Sequence, residues 1–190
     1  MLHKWDNKVA VDLIRKEKVT LAGGVPFIVG ELLDMDFGGE CTLDTISFGG
    51  APVSNRVPDK AHKRFPNLLL GQGYGLTEVN AVAVAFGAED YLARPESTGL
   101  APPAVDIKIM SLDRKHEMPR GEPGEIFIKG PNVAECYYKD EKATKEAFMP
   151  DGWFASGDIG RMDEEGFLYV MDRAKDIVCI SCRSCLPATS

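Results

Sequence analysis

An α/β fold is predicted, with a helix-flanked sheet in the first half and a smaller, mainly antiparallel part in the second. Up to about residue 93, segments with apolar residues at helical spacing alternate with apolar runs of strand length, as in a parallel or mixed sheet covered by helices. Beyond residue 94, strands of alternating polarity separated by tight turns take over. The 19 Gly and 12 Pro cluster in short loops between apolar segments, as in an α/β protein with binding loops.

Trp5 to Lys18 carries Trp5, Val9, Leu13 and Ile14 at helical spacing, with Lys8, Asp12 and Lys16 between them, and predicts an amphipathic helix. Val19 to Ala22 is a short strand, broken by Gly23-Gly24-Val25-Pro26. A helix then runs from Pro26 to Leu33, because Pro is well tolerated in a first turn. Thr45 to Phe48 is a buried strand stopped by Gly49-Gly50-Ala51-Pro52. Val57, Ala61 and Phe65, four apart, place a helix over Ser54 to Phe65. Leu68 to Leu70 and Val82 to Phe86 are two further strands.

In the second half, Val105, Ile107 and Ile109 alternate with Asp106 and Lys108 in a half-buried strand. Gly121 to Gly124 is a turn and Glu125 to Lys129 a strand. Asp140 caps a short helix reaching Phe148, its side chain accepting a backbone N–H. Asp163 to Gly166 joins Ile159–Met162 to Phe167–Met171 as a hairpin, and its charge run is a solvated tip. Residues 1–93, 94–172 and 173–190 are the expected divisions. There is no internal repeat and no low-complexity tract.

Composition narrows the function classes. The 190 residues are 44% hydrophobic and 27% charged, and 22 Lys+Arg against 29 Asp+Glu leave a net charge of −7. An acidic chain without a basic cluster is a poor nucleic-acid binder. The longest apolar run, Ala81–Gly87, is far short of the roughly 20 residues of a membrane span. The first residues do not form a secretory pattern, and Ala188-Thr189-Ser190 is not a peroxisomal tripeptide. Five cysteines, with Cys41 and Cys136 far from the rest, do not make a disulfide framework. An intracellular, cytoplasmic protein is expected. His3, His62 and His116 form no constellation, and Met35 and Met110 are packing residues.

The segment richest in chemistry is Gly71-Gln72-Gly73-Tyr74-Gly75-Leu76-Thr77-Glu78. Three alternate glycines leave no Cβ to obstruct a ligand and allow positive φ. Tyr74 offers a ring that can stack on a base, Thr77 a hydroxyl for a phosphate oxygen, and Glu78 a hard carboxylate suited to Mg²⁺. On the glycines alone, a turn with a core Tyr fits as well.

The whole octapeptide resembles the adenylate-forming acyl-CoA synthetases, relatives of luciferases and of peptide-synthetase adenylation domains. Gly49-Gly50-Ala51-Pro52 resembles their substrate- and adenine-facing turn, and Gly71–Glu78 their adenine and phosphate loop. Gly121-Glu122-Pro123-Gly124-Glu125 with Lys129-Gly130-Pro131 is similar to their strand-turn motif. Trp153-Phe154-Ala155-Ser156-Gly157-Asp158 resembles their ribose-binding segment, and Asp172-Arg173-Ala174-Lys175-Asp176 their hinge. Five motifs in family order, from about Thr20 to Val178, are far more specific than any one.

The resemblance implies a partial helix-flanked sheet subdomain followed by a small antiparallel, barrel-like one, with the nucleotide between them. It implies that Tyr74 stacks on adenine, with Gly50 and Ala51 lining the opposite side. Thr77 would contact the α-phosphate and Glu78 would hold Mg²⁺. Asp158 would accept hydrogen bonds from the ribose hydroxyls, Arg173 would contact the same sugar, and Lys175 would be the hinge pivot. Thr77 and Glu78 are thus the candidate catalytic residues. Without the resemblance, Asp158 reads as a turn residue and Arg173 as a surface charge. The implied reaction converts a carboxylic acid and ATP to an acyl-AMP, then to a thioester of coenzyme A, as in fatty acid metabolism.

Ser156 stands where the family usually has Thr, and Cys136 where a Gly commonly precedes an aromatic pair like Tyr137-Tyr138. The family's upstream phosphate loop has no counterpart here, and its C-terminal lysine-bearing domain is replaced by Cys179 to Ser190. A ligase fragment inactive on its own is therefore expected. The alternatives are a non-catalytic AMP- or ATP-binding fragment and a truncated gene product. Cys179-x-x-Cys182-x-x-Cys185 has metal-site spacing but lacks a fourth ligand, so no structural metal is expected there. Which acid is activated, and the oligomeric state, are not encoded in any motif.

Overall fold

The computed structural model describes residues 4–39, 41–51 and 56–173. They form two compact units, Met1–Leu76 with Val84–Gly99, and Thr77–Ala83 with Leu100–Ser190.

The first unit is a four-stranded sheet in the order β1 (Leu21–Gly24), β2 (Thr45–Gly49), β3 (Leu69–Tyr74), β4 (Val84–Gly87). The first three strands are parallel and β4 returns antiparallel to β3, the mixed sheet that the helix–strand alternation predicts. Helices α1 (Asn7–Glu17), α2 (Pro26–Asp34) and α3 (Arg56–Arg64) connect or precede these strands. Asp6 caps α1 by accepting the Val9 N–H, and Lys18 ends it in the left-handed region (φ 54°). The core gathers Val11 and Ile14 of α1, Val29, Leu32 and Leu33 of α2, and Ile46, Phe48 and Leu70 of the sheet.

Three local expectations change. Gly23 and Gly24 continue β1 rather than break it, in register with Ser47 and Phe48 of β2; a Cβ on Gly23 would sit 2.9 Å from Ser47 Oγ, so glycine suits this close approach. Gly71 to Tyr74 belongs to β3 rather than to a loop, and neither Gly71 nor Gly73 has positive φ. A short helix α4 (Ala88–Ala93) follows β4. Its Tyr91 is fully buried between Phe48 and Phe86, edge-on to each at 5.5 Å.

The second unit is an antiparallel sheet in the order β5 (Asp106–Met110), β6 (Gly124–Lys129), β7 (Phe154–Met162), β8 (Leu168–Arg173). The order is linear, so this subdomain is an open sheet rather than a closed barrel among the described residues. β6 lies inside the sheet and is buried from Gly124 to Ile128. Helix α5 (Glu141–Ala147) is capped as expected, with Asp140 Oδ1 accepting the Ala143 N–H at 2.9 Å.

The β7–β8 turn is more organised than a solvated tip. Asp163 accepts the backbone N–H groups of Glu165 and Phe167, and also the Tyr169 hydroxyl. Cys136 is exposed and not left-handed; the positive φ in that stretch falls at Lys139 (φ 57°). Among the described residues, no helix is long and apolar enough to cross a membrane, and no group of three or more His, Cys, Asp or Glu could hold a metal. Lys175, Cys179, Cys182 and Cys185 lie outside the described residues.

Candidate functional site

In the first unit the candidate residues meet at the C-terminal ends of two adjacent parallel strands, where open α/β sheets bind ligands. Gly49 of β2 is in register with Gly73 of β3. A Cβ on Gly49 would come 2.5 Å from the Gly73 carbonyl oxygen, so glycine is what lets these strands run side by side here. Gly50 turns the chain out of the sheet with φ 78°, and exposed Ala51 follows it. Tyr74 is the last residue of β3 and only 9% exposed, so its ring is held by packing.

In the second unit, Thr77 and Glu78 open a 3-10 turn, Thr77–Val79. Thr77 is exposed and Glu78 half-buried. Two left-handed residues follow, Asn80 (φ 54°) and Ala81 (φ 84°). Such backbone is strained for residues with a side chain, and persists only where its surroundings fix it. Here the 130–137 loop does so. Asn132 Nδ2 donates to the carbonyls of Val79 (3.0 Å) and Val82 (3.3 Å), bridging the strained pair. The Ala134 N–H donates to the Glu78 carbonyl at 2.8 Å. The Tyr137 hydroxyl donates to Glu78 Oε1 at 2.7 Å.

Tyr137 is itself braced. Its ring meets Phe148 edge-on at 5.3 Å, and Phe148 lies 5.0 Å from Phe154 at the start of β7. Burial, and then the Glu78 carboxylate beside it, push the Tyr137 hydroxyl up to about 12, so it stays a proton donor to that carboxylate. Glu78 therefore has one oxygen fixed by Tyr137, and its Oε2 has no partner among the described residues. A hard carboxylate oxygen held in place and left open suits Mg²⁺, which binds through one or two carboxylates together with substrate phosphates. One such oxygen fits the ion as its single protein ligand, the rest coming from phosphates and water.

Asp158 sits where β7 departs from regular pairing. Glu125 pairs with Ile159 and Phe127 with Ala155, so Ser156, Gly157 and Asp158 together face Ile126 alone. This bulge makes a strand out of what the sequence presents as a loop. Gly157 adopts φ 74°, which glycine takes without penalty. Ser156 Oγ donates to the Ile126 carbonyl (2.8 Å) and accepts the Asp158 N–H (3.1 Å). The hydroxyl that replaces the family's Thr thus fixes the backbone beside Asp158. Asp158 is 6% exposed and pairs with Arg173, its register partner on β8, at 3.4 Å.

The structure thus joins Asp158 to Arg173, sets Gly50 and Ala51 just past the end of the strand neighbouring that of Tyr74, and carries Thr77 and Glu78 on one turn. Sequence reasoning missed Asn132, Tyr137 and Glu125, the last of which accepts the Gly157 N–H. Glu125 closes the Gly121–Glu125 motif, Tyr137 belongs to the aromatic pair and Asn132 follows the Lys129-Gly130-Pro131 motif, so all three lay in or beside segments noted for other reasons.

A family model described as AMP-binding enzyme matches residues 1–138. The chain is 34% identical over 184 residues to 4-coumarate–CoA ligase 1 of Glycine max, covering 94% of this chain and 63% of that protein. It is 33% identical over 184 residues to 4-coumarate–CoA ligase 3 of Oryza sativa subsp. japonica, covering 94% of this chain and 33% of that protein. Among solved structures, O-succinylbenzoate coenzyme A synthetase from Bacillus subtilis, in complex with ATP and magnesium ion, matches with a TM-score of 0.87 at 28% identity. That match covers 97% of this chain and 38% of the other. A long-chain-fatty-acid–CoA ligase from Archaeoglobus fulgidus matches with a TM-score of 0.76 at 28% identity, covering 89% and 37%. The chain spans between a third and 63% of the length of the two plant relatives.

Proposed function

The chain belongs to the AMP-binding enzyme family, and from that premise we propose that it serves ATP-dependent activation of a carboxylic acid. In this reaction a carboxylate oxygen of the acid attacks the α-phosphorus of ATP, and pyrophosphate leaves. The acyl-AMP then passes its acyl group to the thiol of coenzyme A, and AMP departs. A free carboxylate is a poor acyl donor, and adenylation gives it a leaving group.

Each residue has a part in this reading. Tyr74 stacks on adenine, with Gly50 and Ala51 on the other side of the base. Thr77 donates its hydroxyl to an α-phosphate oxygen. Asp158 accepts the ribose hydroxyls and Arg173 touches the same sugar. Lys175 is the hinge. Glu78 would hold magnesium, which when bound neutralises charge on the phosphates. The relatives' printed names point to coenzyme A as acceptor and to aromatic or fatty acids as substrates.

The observation that carries the reading is the Glu78 carboxylate, fixed by Tyr137 on one oxygen and open on the other, one residue after the Thr77 hydroxyl. Calorimetry with AMP tests the nucleotide part. Tyr74→Ala should remove about 1–3 kcal/mol of binding, the worth of an aromatic platform under a base. Unchanged AMP affinity in that variant would sink the assignment of Tyr74.

A further inference from the structure

We propose that Glu125, held by Arg114, is a positioning residue for Asp158, fixing the β7 bulge that presents this carboxylate to the ribose hydroxyls. The inference rests on the ribose reading of Asp158 given above.

Glu125 lies on β6 and is 4% exposed, between a glycine and three apolar neighbours, Ile126, Phe127 and Ile128. A carboxylate there is costly unless charge and hydrogen bonds compensate it. Arg114 supplies both. Its Nε donates to Glu125 Oε2 and its Nη2 to Oε1, each at 2.8 Å, the two-pronged geometry that orients a carboxylate best. Arg114 reaches this position from the β5–β6 connection with φ 57°, and its Nη1 donates to the Glu146 carbonyl at the end of α5.

A buried ion pair of this kind is weak evidence for stability, because apolar residues of similar volume do as well or better. What an apolar pair could not do is accept a hydrogen bond at the bulge. Glu125 Oε1 takes the Gly157 N–H at 3.2 Å. Gly157 is the middle residue of the three that face Ile126, and Ser156 Oγ holds the Asp158 N–H on the other side. The peptide units on either side of Gly157 are therefore fixed by two side chains, and Asp158 is the residue they aim. Glu125 lies 33 residues upstream of Asp158 and touches the bulge only through backbone, so its effect on a sugar must be indirect.

The test is calorimetry on the 190-residue chain with AMP and with 2′,3′-dideoxy-AMP. The wild type should prefer AMP at least about tenfold, the ratio that one hydrogen bond to a charged group confers. Glu125→Ala should bring the two affinities to within about twofold, while leaving the dideoxy affinity near its wild-type value. Glu125→Gln keeps an oxygen for the Gly157 N–H and should retain most of the preference. A general loss of structure would instead weaken both nucleotides together. Should Glu125→Ala fail to fold, Arg114→Gln carries the same expectation, a reduced preference at unchanged dideoxy affinity. A wild-type preference that survives in these variants overturns this inference and leaves the ribose reading standing. A wild type without preference overturns the ribose reading, and the inference with it.

Discussion

Tyr137 donates its hydroxyl to Glu78 across 59 residues of sequence. The neutral phenol is favoured in the folded chain, which moves its proton loss from the ordinary 10.0 to about 12. The folded state then holds this proton more tightly than the unfolded state does. The stability it contributes is complete below pH 10 and is lost as pH rises from about 10 to about 12. Tyr91 is pushed to about 12 as well, by burial alone. In an ultraviolet titration, Tyr137→Phe should lose the equivalent of one tyrosine from the ionisation seen near 12 in the native chain. The same variant should lose part of the alkaline slope of stability. A late-titrating amplitude unchanged in Tyr137→Phe would refute the assignment. Glu78 was legible because its motif is local, whereas Tyr137 acquires its role through a contact that no sequence spacing encodes.

At the scale of elements, an amphipathic stripe located α1, a proline in the first turn α2 and an Asp cap α5, because all three are local signals. Helix α4 went unread, since six residues are too few to show a helical period. The glycines of β1 and β3 were misread for a different reason. In isolation Gly suggests a turn, but a Cβ on Gly23 would stand 2.9 Å from Ser47 Oγ on the neighbouring strand, and one on Gly49 2.5 Å from the Gly73 carbonyl oxygen. Gly49 and Gly30 separate the two effects. Gly49→Ala should destabilise the chain by about 1–3 kcal/mol, since its Cβ would press on a carbonyl that the sheet holds in place. Gly30 lies inside α2 with nothing within 4 Å of an added Cβ, so Gly30→Ala should stabilise by about 0.5–1 kcal/mol through helix propensity. Urea unfolding of both variants measures this, and equal effects of one sign would show that the close approach at Gly49 is not what selects glycine.

At the scale of the molecule, the α/β class and the antiparallel character of the second half followed from the sequence pattern. Nothing in composition sets Thr77–Ala83, which belongs to the second unit, apart from the strand before it. Sheet order was also invisible, and it has a consequence for association. β1 is at one end of the order β1-β2-β3-β4 and pairs only with β2 among the described residues. Edge strands recruit other chains unless charge, proline or a bulge blunts them. Residues Val19 to Phe27 contain no charged side chain, and Pro26 lies beyond the strand. Leu21 is 64% exposed and Phe27 70%, and a groove lined by Trp5, Leu13, Leu21 and Ile28 lies beside them. An apolar edge next to an apolar groove favours self-association. Light scattering over a dilution series should therefore show mass rising with concentration for the wild-type chain. Leu21→Lys puts a charge on the edge and should shift the series toward monomer, with little change in thermal unfolding because the side chain is already exposed. Phe27→Lys should act in the same direction through the adjacent face. A wild type that stays monomeric throughout, or one whose association is indifferent to both substitutions, would mean that β1 is not the surface through which copies meet.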